Sequence, residues 1–194
     1  QGERLMREFA ETGARAIAED LGPIPDFVRA SLDRLGIPGY RVLRWEREWH
    51  APGQPFRNPA SWTATSVATT GTHDTDSLPD WWEAAGRDER AALEAIPEIA
   101  ASGIARDAVP YTPRVADTLL ELVYRSASDL LLLPFQDLFG WRDRINIPAT
   151  MGPHNWTWRL PLRVNADGSH PDAAARAATL ERWARESHRV DRER

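Results

Sequence analysis

The sequence predicts an α/β fold built on a parallel sheet. Three observations lead there. Short apolar runs bounded by Gly or Pro recur along the chain, segments with helical spacing lie between them, and acidic or His-Asp pairs follow several of the runs. Strands that alternate with helices make βα units. Four candidate strands are too few to close an eight-stranded barrel, so they make an open sheet or half of a barrel. At 194 residues the chain is expected to be a single unit, 1–194, with no separate second domain and with length enough to bury a core.

The elements follow in order. Glu3–Glu11 carries Leu5, Met6 and Phe9 on one helical face, and Gly13 stops it. Ala14–Ala18, between Gly13 and Gly22, reads as a short parallel strand with Glu19 and Asp20 at its carboxyl end. Pro25 and Asp26 open a helix with Phe27, Val28, Leu32 and Leu35 as its apolar face, and Gly36 ends it. Tyr40–Leu43, followed by Trp45, is a second strand. Pro52, Gly53, Pro55 and Pro59 make Arg44–Pro59 a loop. Ser66–Thr70 is a third strand that runs into Gly71, Thr72, His73 and Asp74. Asp80–Ile96 reads as one helix and Pro113–Ser126 as another, the latter with Val115, Leu119, Leu122 and Val123 on one face. Leu130–Pro134 is a fourth strand. A polar loop with His154, Trp156 and Trp158 follows, and a last helix begins near Pro171.

Composition excludes several chemistries. There is no Cys, which removes disulfides, thiolate metal sites and cysteine nucleophiles. All 24 basic residues are Arg, so a P-loop lysine, a Schiff base and a Ser-Lys dyad are ruled out. A net charge of −5 argues against a nucleic-acid partner. The longest apolar run, Leu130–Phe135, is far short of a membrane span and is interrupted by Pro134. With no basic-then-apolar leader in these residues, the expected location is the cytoplasm. Trp is over-used, 9 of 194 residues. Indole rings in loops offer flat platforms for the apolar faces of sugars, while any single Trp serves equally well in a core.

Reactive residues in βα folds sit at the carboxyl ends of strands. That rule selects Glu19 and Asp20, His73 and Asp74, and Gln136 and Asp137. Carboxylates converging from separate strand ends suit glycoside chemistry, where one acid protonates the leaving oxygen while another group attacks or stabilises the sugar cation. Glu19, between apolar and Gly residues, is expected to be partly desolvated, which favours an acid that must hold its proton. Asp20 and Asp137 fit a helix-capping role as well. No second histidine stands at ligand spacing from His73, Asp74 and Asp76, so no metal is expected; His50, His154, His170 and His188 read as solvated residues.

Six motifs in sequence carry a resemblance. They are Ala18-Glu19-Asp20-Leu21-Gly22, Gly39-Tyr40-Arg41-Val42-Leu43, Gly71-Thr72-His73-Asp74-Thr75-Asp76, Pro134-Phe135-Gln136-Asp137-Leu138-Phe139-Gly140, Arg144-Ile145-Asn146-Ile147-Pro148-Ala149-Thr150 and Asn155-Trp156-Thr157-Trp158-Arg159. In this order they resemble AEDLG, GMRVL, GTHDND, PLQDVLG, RMNxPGT and NWxWR of the amylomaltases. These are 4-α-glucanotransferases of glycoside hydrolase family 77, in the α-amylase clan, and the likeness is to their carboxyl-terminal half.

The resemblance implies a fold and an activity. The fold is the carboxyl-terminal half of a (β/α)8 TIM barrel, strands five to eight, with helical and loop insertions. The activity is transfer of α-1,4-glucan segments between maltooligosaccharides by a retaining double displacement, with no cofactor. Glu19 takes the role of general acid/base and Asp74 that of stabilising the distorted sugar; His73 and Asn155 are the expected substrate contacts. The implied partners are an α-1,4-glucan and the missing amino-terminal half of the barrel, with self-association of the piece alone. The family's nucleophile is an aspartate in a motif like RIDHFRG, and no such stretch occurs here, so this chain has no nucleophile of its own and is expected to be inactive alone. Thr75 replaces the usual Asn and Ala149 the usual Gly; both are expected to be tolerated, with an alteration confined to the loop Pro148–His154. The alternatives are a non-catalytic glucan-binding fragment and an α-glucan hydrolase of the same clan.

Overall fold

A computed structural model describes residues 1–106, 110–161 and 171–190. The helices are α1 (Gly2–Glu11), α2 (Asp26–Leu35), α3 (Leu78–Ala84), α4 (Arg87–Leu93), α5 (Pro97–Ser102), α6 (Pro113–Tyr124), α7 (Phe135–Phe139) and α8 (Pro171–Glu186). The strands are β1 (Gly39–Val42), β2 (Ser66–Thr69) and β3 (Leu130–Leu131), all parallel and ordered β1-β2-β3. The architecture is α/β, with strands side by side in chain order.

Register fixes which residues share a face. Tyr40 pairs with Val67, and Val67 with Leu130; Arg41 pairs with Ala68, and Ala68 with Leu131. Side chains alternate across a strand. One face therefore presents Leu43, Ala68, Leu131 and Leu133 to the helices, where they join Leu78, Trp82, Leu93, Ile96, Ile99, Leu119 and Val123 in the core. The opposite face carries Tyr40, Val42, Val67, Leu130 and Leu132. Val42 and Val67 are buried there, whereas Leu130 and Leu132 are 41% and 50% exposed.

Four expectations change. The strand at Ala14–Ala18 contracts to one parallel bridge, Ala18 to Gly39. Its Ala-rich run has little strand propensity, and Ile17 is exposed. The helix expected at Asp80–Ile96 is two, because Gly86 in an extended conformation breaks it and starts α4. The fourth strand is short: the Leu132 amide still donates to the Ala68 carbonyl at 3.0 Å, but Pro134 has no amide and instead precedes α7. The short helices α5 and α7 were not expected; each spans too few residues for a period to show. Elsewhere the helices fall where spacing put them, with Gly36 in the left-handed conformation after α2 and the Thr112 hydroxyl accepting from the Val115 amide at the start of α6.

Tryptophan divides between core and surface. Trp62, Trp81, Trp82 and Trp183 are core residues, while Trp45, Trp49 and Trp156 are 38%, 52% and 60% exposed.

Candidate active site

The ends of the Ala18 bridge and of β2 open onto one cleft of about 960 Å³, lined by Glu19 and Asp74 together with Trp45, Glu46, Trp49 and His50. Glu19 is exposed on the rim, so the partial desolvation expected from its apolar and Gly neighbours is not supplied by this chain.

Asp20 does not project into the cleft as a free acid. It is buried, accepts from the Tyr40 amide at 2.7 Å, and meets Arg29 at 3.3 Å and Arg41 at 3.4 Å. Its work is to fix the strand end that carries Glu19 and to pin it to β1. The capping role considered for Asp20 is replaced by this one. A β-carbon on Gly39 would lie 2.4 Å from Asp20 Oδ1, so Gly39 is required by the carboxylate's position.

The turn after β2 holds His73 and Asp74. The Thr75 hydroxyl ties it shut, accepting from the Thr72 amide at 3.0 Å and donating to the Thr72 carbonyl at 2.9 Å. Thr75 thus performs the local bonding at the position where it departs from the resembled pattern. Beneath the turn Arg44 is buried; its Nε donates to the Thr70 carbonyl at 3.1 Å and its NH1 to the Asp76 carbonyl at 2.9 Å. Burial holds the Arg44 guanidinium below its ordinary pKa.

The segment after α7 folds back over this turn. Arg144 donates to the Asp74 carbonyl at 2.9 Å and pairs with the Asp76 carboxylate. Asn146 donates from Nδ2 to Asp74 Oδ1 at 2.7 Å, and its amide donates to the His73 carbonyl at 3.1 Å. His73 Nε2 lies 3.2 Å from the same Oδ1. The Asp74 carboxylate is therefore held from two sides, by an imidazole and a carboxamide.

Asn155 sits one step further out. Its Oδ1 accepts from the Ile147 amide at 2.9 Å, and its Nδ2 donates to Thr150 O and Oγ1, both at 3.0 Å. The side chain ties the loop that follows Asn146. Ala149 in that loop has φ of 59°, a left-handed conformation that glycine adopts freely and alanine does not.

Asp137 is buried behind the site. It accepts from the Thr70 hydroxyl at 2.5 Å and from the Leu78 amide at 2.7 Å. It caps α3 from across the fold, rather than the helix that follows it in sequence. Burial raises its carboxyl pKa, opposed by those two hydrogen bonds. Gln136 is buried beside it and lines a smaller cavity of about 310 Å³ that His73 also lines.

Two residues of the site stand outside the candidates that the strand-end rule selects, although Asn146 belongs to one of the six motifs. Asn146 contacts a carboxylate 72 positions away, a pairing made only by the fold-back. Glu46 lies in a segment read as loop, yet it lines the cleft and burial raises its pKa. Of the histidines read as solvated, His50, His154 and His188 are exposed, and His170 lies outside the described residues.

A sequence profile of the 4-alpha-glucanotransferase family matches residues 2–164. The 4-alpha-glucanotransferase of Thermus thermophilus is 33% identical over 168 residues, covering 82% of this chain and 31% of that protein. The chloroplastic/amyloplastic 4-alpha-glucanotransferase of Solanum tuberosum is 31% identical over 163 residues, covering 81% of this chain and 25% of that protein. Among solved structures, an amylomaltase from Streptococcus agalactiae in complex with acarbose superposes with a TM-score of 0.68 at 26% identity, covering 90% of this chain and 32% of that one. The chain thus spans between a quarter and a third of the length of these relatives. Among the described residues no helix is long and apolar enough to cross a membrane.

Proposed function

We propose, since this chain belongs to the 4-alpha-glucanotransferase family, that it is the carboxyl-terminal half of a (β/α)8 catalytic barrel, strands five to eight. The whole enzyme transfers α-1,4-glucan segments between maltooligosaccharides with net retention. Support for the half-barrel comes from the strand order, sequential and parallel, and from the core that helix side chains form with Leu43, Ala68, Leu131 and Leu133 of the sheet.

The chemistry follows from the two carboxyl groups. An aspartate supplied by the amino-terminal half attacks the anomeric carbon, while Glu19 protonates the departing glycosidic oxygen. Glu19 then takes the proton from the 4-hydroxyl of an acceptor glucan, which displaces the aspartate and forms the new bond. Asp74, oriented by His73 and Asn146, binds the distorted sugar and stabilises its oxocarbenium-like charge. His73 contacts the same sugar, and Asn155 stands beside the substrate. No cofactor enters the cycle, and the enzyme works in the cytoplasm.

The single observation that carries this reading is the shared cleft of Glu19 and Asp74. The test is Glu19→Gln in the full-length enzyme. The expected outcome is loss of maltotriose disproportionation by roughly 10²–10⁴-fold with glucan binding retained. A variant that keeps more than about a hundredth of the wild-type rate overturns the assignment. Glucose together with longer maltooligosaccharides marks transfer; shorter products alone mark hydrolysis.

A further inference from the structure

Trp156 is the most exposed tryptophan of the segment that folds back over the His73-Asp74 turn. Its indole is 60% exposed and tilted by 39° against the His73 imidazole, with centroids 5.0 Å apart. Its backbone has φ of 61°, a conformation in which a side chain beyond Cα is strained. The Trp156 amide donates to the Ile145 carbonyl at 2.8 Å, and the Asn155 carboxamide closes the loop on Ile147 and Thr150. These bonds hold a strained residue in place and leave a large apolar ring uncovered by the rest of this chain. Neither choice favours stability, and strain of this kind collects where a ligand is held.

From this geometry we infer that Trp156 is a stacking platform for one glucose unit of the α-glucan, beside the unit that His73 and Asp74 engage. A pyranose ring has an apolar face of C–H groups and a rim of hydroxyls. The exposed indole suits the face. The imidazole beside it and the carboxylate beyond suit the rim, since the ring lies against His73, whose Nε2 is 3.2 Å from Asp74 Oδ1. The same reasoning gives Asn155 its part: its hydrogen bonds set the backbone that presents the ring. This inference rests on the glucanotransferase reading above.

The experiment uses the full-length enzyme and four forms of the position: wild type, Trp156→Phe, Trp156→Leu and Trp156→Ala. Maltoheptaose binding is measured by calorimetry in a Glu19→Gln background, and maltotriose kinetics in the otherwise native enzyme. A platform predicts that Leu and Ala both weaken maltoheptaose binding about tenfold, while Phe stays within a few-fold of wild type. It predicts KM rising with little change in kcat. Leu behaving like Phe shows that bulk, and not a ring face, is required, and overturns the proposal. So does unchanged binding in Trp156→Ala, or a loss confined to kcat, which marks a residue that only orients His73. Any failure of the glucanotransferase reading appears separately, as absent disproportionation in the wild type, because the binding series does not depend on turnover.

Discussion

The Asp20 carboxylate lies against the Cα of Gly39, so close that a methyl group there would sit 2.4 Å from its oxygen. Through this contact the residue next to Glu19 is locked to the first residues of β1. Asp20→Ala should destabilise the protein by about 1–3 kcal/mol, because the partly buried Tyr40 amide loses its acceptor and Arg41 its buried partner. Gly39→Ala should displace the Asp20 side chain and lower activity of the full-length enzyme while leaving its helical content intact. Circular dichroism with maltotriose assays checks both; normal stability in Asp20→Ala contradicts the locking role.

Asn146 should matter through Asp74. Removing its carboxamide in Asn146→Ala leaves the carboxylate held from one side only. Misplacement of a reacting group by about 1 Å costs up to about 10²-fold, so kcat should fall by tens-fold with KM little changed. Asp74→Asn should be more severe, since it removes the charge itself. Steady-state kinetics on both variants of the full-length enzyme test the order.

Ala149 offers a stabilising change. Its φ of 59° costs roughly 1–2 kcal/mol in any residue with a β-carbon. Ala149→Gly should recover part of that, offset by the extra freedom glycine gains in the unfolded chain. A higher melting temperature, with activity preserved, is the expected result.

Asp137 sets a pH dependence. Its folded pKa is raised by burial above the unfolded value, so the folded state binds the proton more tightly. The contribution is fully present below the unfolded pKa and is lost as pH rises through the folded one. Asp137→Asn should remove this component, and urea melts across the acid range would show a flatter profile than wild type.

The 194-residue chain alone should self-associate. Leu130 and Leu132 stand exposed at the β3 edge, and the opposite edge ends in a single bridge at Ala18. Such edges seek partners. Light scattering should detect oligomers that Leu132→Glu reduces, and co-refolding with the amino-terminal half should give an equimolar, active complex. A monomer with a sharp unfolding transition would falsify the edge argument.

Much of this was legible before any coordinates. Helical spacing placed α2 and α6 because their apolar residues recur on one face, and Gly36 marks the end of α2. The strand-end rule brought Glu19 and Asp74 forward because a parallel sheet delivers its carboxyl ends to one side. The short elements were not legible: α5 and α7 owe their existence to Pro and Gly boundaries and to packing. Nor were the partners of Asp74, since Asn146 reaches it only after the chain reverses beyond α7. The strand at Ala14–Ala18 was over-read, because apolar brevity alone does not distinguish a strand from a single bridge.

The sequential strand order has a consequence for how such an enzyme can diversify. Ala18 bridges β1 and β1 pairs with β2, so the backbone that leads to Glu19 and the strand that leads to Asp74 run two ladder steps apart, about 9.5 Å between their axes. That interval is set by backbone hydrogen bonding, which no side chain or loop can stretch. The loop 44–59 between β1 and β2 carries Trp45, Glu46, Trp49 and His50 into the cleft and is free of that ladder. Insertions and deletions there can reshape the cleft while the backbone beneath Glu19 and Asp74 keeps its spacing, so the range of sugars admitted is free to change without moving the strands that carry the acids.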